Sequence, residues 1–171
     1  MVAKGVIGRS EKPLIVVAGP TASGKTGLAI RLAKQFGGEI ICADSRTVYT
    51  GMDVGTAKPT AAERLAVPHW GLDLAKPGER FTAADFKSYT LNKIDEIRAR
   101  GNVPFLVGGT GLYIDAVVFD FDLGPPASEV DRQKLQQLSV EELQKYCKED
   151  SINLPQNYQN KRHLVRAIER Q

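Results

Sequence analysis

The stretch Leu14-Ile15-Val16-Val17-Ala18-Gly19-Pro20-Thr21-Ala22-Ser23-Gly24-Lys25-Thr26 decides the fold. Residues 14–18 are continuously apolar and rich in β-branched side chains, which reads as a strand buried on both faces. Residues 19–26 follow the pattern G-x-x-x-x-G-K-T of a phosphate-binding loop. Gly19 and Gly24 let the backbone turn its N–H groups inward around an oxyanion. The helix that follows aims the positive end of its dipole at the same anion. Lys25 adds a point charge, and the Thr26 hydroxyl can hold Mg²⁺. Composition alone produces such a match in a chain this long roughly once in a hundred. The loop binds a phosphate or pyrophosphate; the motif does not say whose.

Working outward, residues 27–36 read as a helix with Leu28, Leu32 and Phe36 on one face, stopped by Gly37-Gly38. Residues 39–43 form a second apolar strand, which ends at Asp44-Ser45. Residues 49–66 are glycine-rich and irregular, with a helical turn around 60–65, and residues 69–74 read as a short third strand. Residues 82–100 carry an amphipathic pattern with Phe86, Leu91, Ile94 and Ile97 on one face and Thr82 or Ser88 as cap. Residues 103–107 are another buried strand, closing on Gly108-Gly109-Thr110-Gly111. Strand, helix and strand in alternation predict a three-layer α/β domain of the P-loop NTPase type. Its sheet is mainly parallel, with strands 14–18, 39–43 and 103–107 central and the loop at their carboxyl ends. Residues 128–147 read as one or two helices with a Ser139-x-x-Glu142 capping box and an apolar face of Leu138, Leu143 and Tyr146. Residues 159–170 form a last helix with Leu164, Val165 and Ile168 on one side. The pattern divides the chain into a flexible start (1–13), a catalytic core (14–127) and a helical segment (128–171) with no clear core of its own.

A chain of 171 residues suits one main core. No apolar run is long enough to span a membrane, and the first ten residues do not resemble a secretory signal. Cys42 and Cys147 form no metal or redox motif, so the reducing cytoplasm is the expected compartment. A net charge of +3 neither demands nor opposes an anionic partner. The sequence sets no oligomeric state.

Ligands of open parallel sheets sit at the strands' carboxyl ends, which puts Asp44 in the same crevice as the loop. Asp44 there serves as a general base, holds a magnesium-bound water, or caps a turn. Thr110 stands at another strand end, in a glycine-rich turn that either admits a ligand closely or starts a helix. Many nucleotide hydrolases end that strand with an acid; this one ends in Gly108, which speaks against ATP hydrolysis. Lys58 reaches either a phosphate or a carboxylate. His69 and His163 lack metal-ligand spacing and read as packing or surface residues. Lys161, Arg162, Arg166 and Arg170 give the last helix a basic face, which reads as a solvated surface or a contact to RNA phosphates.

Five further segments occur in order with the loop: Asp44-Ser45-Arg46, Val48-Tyr49, Gly51-Met52-Asp53-Val54-Gly55-Thr56-Ala57-Lys58-Pro59, Val67-Pro68-His69 and Val107-Gly108-Gly109-Thr110-Gly111-Leu112-Tyr113. Together with Arg166-Ala167-Ile168-Glu169 they resemble the tRNA dimethylallyltransferases from about residue 14 to 169. The resemblance implies transfer of a five-carbon group from dimethylallyl diphosphate to N6 of an adenosine beside the anticodon of tRNA, with Mg²⁺ as cofactor. It implies that Gly19, Pro20, Thr21, Ala22, Ser23, Gly24, Lys25 and Thr26 hold the diphosphate and that Thr26 binds the metal. It implies a catalytic set of Asp44, Lys25 and Thr110. Adenine and tRNA would be held by Asp44, Ser45, Arg46, Thr47, Thr110, Arg162, His163 and Arg166. The chain departs from the family at Thr47, where Gln is usual, and at His163, where Arg is common. Family members continue into a tRNA-gripping helical region, so the expectation here is a chain that binds tRNA weakly. Transfer to free AMP or ATP, a small-molecule kinase, and a non-catalytic nucleotide- or RNA-binding remnant are the competing readings.

Overall fold

The computed structural model describes residues 12–56, 58–123 and 129–169. The chain forms two compact units that divide between Asp122 and Leu123. The first contains β1 (Ile15–Ala18), α1 (Lys25–Phe36), β2 (Gly38–Ala43), α2 (Ala61–Ala66), β3 (His69–Trp70), α3 (Ala83–Ala99), β4 (Val103–Gly108) and α4 (Gly111–Val118). The second contains α5 (Glu129–Gln137), α6 (Val140–Glu149) and α7 (Lys161–Ile168).

The sheet is four-stranded in the order β1-β4-β2-β3. All its pairings are parallel, with Val17 beside Val107 and Cys42 beside Val107 on the other side. The predicted parallel α/β fold is therefore present. The centre is not as expected: β4 and β2 are internal, whereas the strand feeding the phosphate loop, β1, lies at an edge. Its burial alternates accordingly, with Val16 and Ala18 exposed. A continuous apolar run does not distinguish an edge strand from an internal one, since neighbours come from distant sequence.

Successive side chains of the internal strands feed opposite cores. Ile41, Ala43 and Leu106 pack with Phe86, Ile94 and Ile97 of α3 and with Tyr113, Ile114 and Val117 of α4. Ile40, Phe105 and Val107 pack on the other face with Ala29 and Ala33 of α1. Burying side chains such as Phe86 and Phe105 contributes about 1.5–3 kcal/mol each. The α1 contact differs from the expected one. Leu28 and Phe36 are exposed; Leu32 of the expected face does pack against the core, but the buried stripe is Ala29 and Ala33, whose small size lets the helix lie close to the sheet. In α3, likewise, Leu91 is exposed and Thr90 is buried.

Two caps act where the sequence placed them: Thr82, with Asp85, forms a capping box on α3, and Ser139 and Glu142 form one on α6. The structure adds a third, Thr60 and Glu63 on α2. Two residues are glycine by necessity near the crevice. Gly24 takes a left-handed φ of 79° at the start of α1. A Cβ on Gly108 would overlap the Ala43 carbonyl, so β2 and β4 can close their ends only over a glycine.

At the other end of the sheet, Glu39 opens β2 almost fully buried. Arg100 grips it with two bonds, Nε to Oε1 at 2.9 Å and Nη2 to Oε2 at 2.8 Å. Asn102 Nδ2 donates to Oε1 at 2.8 Å and Trp70 Nε1 to Oε2 at 2.6 Å. Burial alone would raise the Glu39 pKa, but these donors outweigh it and hold the carboxyl down at about 2.

The second unit has a core of its own, contrary to expectation. Leu135, Leu143, Cys147, Ile152, Leu164 and Val165 pack together, with Leu138 and Ile168 against them. Cys147 takes the inward place expected of Tyr146, which is exposed. The apolar positions of α5, α6 and α7 are sparse within each helix and make a core only when the three combine. The flexible start lies outside the described residues up to position 11, as do residues 124–128 of the proline loop, Ala57 and Arg170. Among the described residues no helix is long and apolar enough to cross a membrane.

Candidate active site

A cavity of about 330 Å³ opens at the carboxyl ends of the strands. Thr21, Ala22, Gly24, Lys25 and Thr26 line it from the loop and the first turn of α1. Asp44 and Thr47 line it from the exit of β2, and Gly108 from the end of β4. The remaining wall is Ile40, Cys42, Pro59, His69 and Val107. The sequence brought the loop and Asp44 to one crevice, and the cavity joins them.

The loop is held from both sides. Gly19 N donates to Gly108 O at 3.3 Å and Ser23 N to Pro20 O at 3.3 Å. Lys25 Nζ folds across the loop and donates to Pro20 O at 2.9 Å. The cap of α1 is Gly24, with no side-chain hydrogen bond, so the first N–H groups of the helix face the loop uncapped. Such a helix start favours an anion.

Asp44 leaves β2 half-buried, and its Oδ1 accepts the Arg46 amide at 2.8 Å. Ser45 and Arg46 are exposed on the same turn. Thr47 is buried; its hydroxyl donates to Asp44 O at 3.3 Å, so it braces the turn as well as lining the cavity. Thr110 joins this turn across 65 positions of sequence. Its Oγ1 accepts the Ser45 amide at 2.9 Å, its own amide donates to Ala43 O at 3.1 Å, and the two hydroxyls lie 3.4 Å apart. Thr110 stands at the N-cap of α4 but makes no side-chain cap, because its oxygen is committed to Ser45.

Arg162, His163 and Arg166 lie in the second unit on α7. Arg162 and His163 are exposed. Arg166 is half-buried; it donates to Leu123 O at 3.4 Å and pairs with Glu169 at 3.8 Å. Lys161 is also engaged, donating to Gln136 O at 2.7 Å. The basic face is thus partly spent on holding its own unit together.

Sequence reasoning missed the apolar wall. The signal was available, because counting back by twos from Asp44 gives Cys42 and Ile40 on one side of β2. Burial pushes the Cys42 thiol up to about 12, making it an inert wall. His69, read as a surface or packing residue, lines the cavity. Its Nδ1 lies 2.7 Å from Val67 O, which fixes the proton there, and its buried Nε2 has no partner among the described residues. Burial lowers its pKa. Lys58 resolves to carboxylates rather than a phosphate, bonding Asp53 and Asp73 at 2.7 Å each.

A magnesium ion fits the oxygen donors present. Thr26 and Asp44 open on the same cavity, and among the described residues no cluster of three or more acids, histidines or cysteines could cage a metal. Mg²⁺ is commonly held by one or two protein oxygens plus phosphate and water, and the Thr26 hydroxyl can supply one such oxygen.

A G-x-x-x-x-G-K-T loop, an uncapped helix start and a carboxylate at adjacent ends of a parallel sheet define an α/β domain of the P-loop type. Residues 47–170 match the family model described as IPP transferase, and residues 12–73 that described as isopentenyl transferase. The chain belongs to the IPP transferase family. It is 46% identical to the tRNA dimethylallyltransferase of Roseiflexus sp. (strain RS-1), over 92% of this chain and 54% of that protein. The solved full-length tRNA isopentenylpyrophosphate transferase of Bacillus halodurans is 44% identical, with a TM-score of 0.65, over 93% of this chain and 55% of that one. A eukaryotic dimethylallyltransferase solved acting on tRNA is 26% identical with a TM-score of 0.72, over 92% and 40%. The chain spans about half the length of the curated relatives it matches.

Proposed function

We propose that this chain carries the catalytic core of a prenyl transfer from dimethylallyl diphosphate to N6 of an adenosine next to the anticodon of tRNA. The observation that carries this reading is the two-sided cavity. One end is the loop with Lys25 and Thr26, and the rest combines the apolar Ile40, Cys42, Pro59 and Val107 with Asp44, Thr47 and His69. A diphosphate attached to a short hydrocarbon matches both ends. Nucleotide hydrolysis is disfavoured, because β4 ends in Gly108 with no acid to activate water. The relatives' names agree.

In this reading the N6 amine attacks C1 of the prenyl group, the C1–O bond breaks, and diphosphate departs with the electron pair. Lys25 and the loop amides stabilise the charge that grows on the leaving oxygens. Asp44 takes the proton that N6 sheds. Thr110 holds the Asp44 turn in place through Ser45 and, with Ser45, Arg46 and Thr47, borders the path of the base. Thr26 would hold Mg²⁺, which when bound would neutralise diphosphate charge. A tRNA substrate accords with a cytoplasmic location.

The test supplies labelled dimethylallyl diphosphate with tRNA, AMP or ATP. Label in tRNA is expected. Label in AMP or ATP alone would reassign the acceptor to a free nucleotide, and donor binding without any labelled product would make the chain a binding remnant. Affinity for tRNA is expected to be weak and only shallowly salt-dependent, because Arg162 and His163 are the exposed members of the basic set on α7. Titration of tRNA at several salt concentrations checks this, and a steep slope would contradict it.

A further inference from the structure

We infer that Lys58 and Asp73 form a brace that fixes the Asp44–Thr47 turn, which makes Lys58 a positioning residue for Asp44. The inference rests on the proposed role of Asp44 as the base.

The Lys58 side chain is 1% exposed. Its ammonium has three donors, and all are used: Asp53 Oδ1 and Asp73 Oδ1 at 2.7 Å each, and Tyr49 O at 3.0 Å. A buried lysine costs stability unless it is paired in this way. Burial alone lowers its pKa, yet the two carboxylates outweigh burial and the net shift is upward, so the charge persists. No donor is left for a phosphate.

Asp73 links this cation to the turn. It adopts a left-handed backbone, φ 57°, uncommon for a residue with a side chain. Lys58 Nζ and, at 3.6 Å, Arg64 Nη1 hold its carboxylate. In that conformation its amide donates to Thr47 O at 3.3 Å. The next two amides, Leu74 and Ala75, both donate to Val48 O, at 2.7 and 3.1 Å, and Thr50 N returns a bond to Ala75 O at 2.8 Å. Thr47 in turn bonds Asp44 O through its hydroxyl. A continuous path therefore runs from the buried ammonium to the backbone of the candidate base. The geometry matters because a misplacement of about 1 Å can lower a rate roughly 10²-fold.

Two variants test this: Asp73→Asn, which is isosteric and tolerates the left-handed conformation, and Lys58→Met. Amide hydrogen exchange is followed at Arg46, Asp73 and Leu74, with Leu106 of β4 as the internal reference. Exchange at the first three is expected to quicken about tenfold or more in Asp73→Asn, with Leu106 and dimethylallyl diphosphate affinity unchanged. Unchanged exchange, or an equal rise at Leu106, overturns the brace. This readout stands independently of turnover. In transfer assays, kcat is expected to fall with the donor KM unchanged, and the loss is expected not to add to that of Asp44→Asn. A fully additive loss overturns the positioning role. A normal rate in Asp44→Asn alone removes the base reading and leaves the exchange result to decide the brace.

Discussion

Glu39 and Asp44 are five positions apart in sequence, at opposite ends of β2, and their surroundings are opposites. Glu39 is buried, and both its oxygens are taken by Arg100, Asn102 and Trp70. Lys93 and Arg100 stand over the Trp70 ring, which packs the charge cluster against an aromatic face. Asp44 accepts one backbone amide from Arg46 and opens on a cavity. One end of the sheet consumes its hydrogen-bonding capacity in holding the fold. The other holds its acid in place by backbone bonds on neighbouring residues and keeps the carboxylate available. A general base needs that second arrangement, because an acid already satisfied by a guanidinium has no reason to take a proton.

Substitutions at the two ends should therefore separate rate from stability. Asp44→Asn is expected to lower single-turnover transfer by about 10²–10⁴-fold while leaving the melting temperature and donor binding intact. A normal rate would erase the functional half of the contrast. Glu39→Gln should do the reverse, costing about 1.5–3 kcal/mol in denaturant unfolding with little change in donor affinity, because a buried amide offers one acceptor oxygen where the carboxylate offers two to Arg100, Asn102 and Trp70. Loss of donor affinity there would show that the two ends are coupled. Lys25→Ala should weaken dimethylallyl diphosphate binding by about 1.5–3 kcal/mol in calorimetry, through the lost charge-assisted contact. Undiminished binding would remove the loop from the site.

The smallest effect is a split in pH dependence. The Glu39 carboxyl titrates near 2 in the fold against 4.5 in the unfolded chain. Its contribution is therefore complete above pH 4.5 and is lost as pH falls toward 2. His69 is also depressed, from an ordinary 6.5, so its contribution is present above pH 6.5 and fades as pH falls below it. Thermal melts across pH should show both steps. Glu39→Gln should remove the acid step alone, and His69→Gln the neutral one alone.

Much of this was legible because it is local. The loop, the strand that feeds it and the caps at Thr82 and Ser139 are set by residues within a few positions of one another. Asp44 followed from a rule about strand ends, and the structure brings it to the loop. What escaped depends on distant partners. Glu39 meets Arg100 across 61 positions and Lys58 meets Asp73 across 15. The core around Cys147 draws on three helices that are each weakly apolar. The edge position of β1 depends on which strands pair, and that information is not in the strand itself.

The glycine at the end of β4 has a consequence for descent. Any side chain at position 108 would run into the Ala43 carbonyl, one residue before Asp44. Introducing there the acid that nucleotide hydrolases use would push apart the two strands that carry the crevice, and would move Asp44 with them. An acid at position 108 and the present placement of Asp44 thus exclude each other on this backbone. A lineage that starts from this sequence cannot place an acid at that position without first moving Asp44.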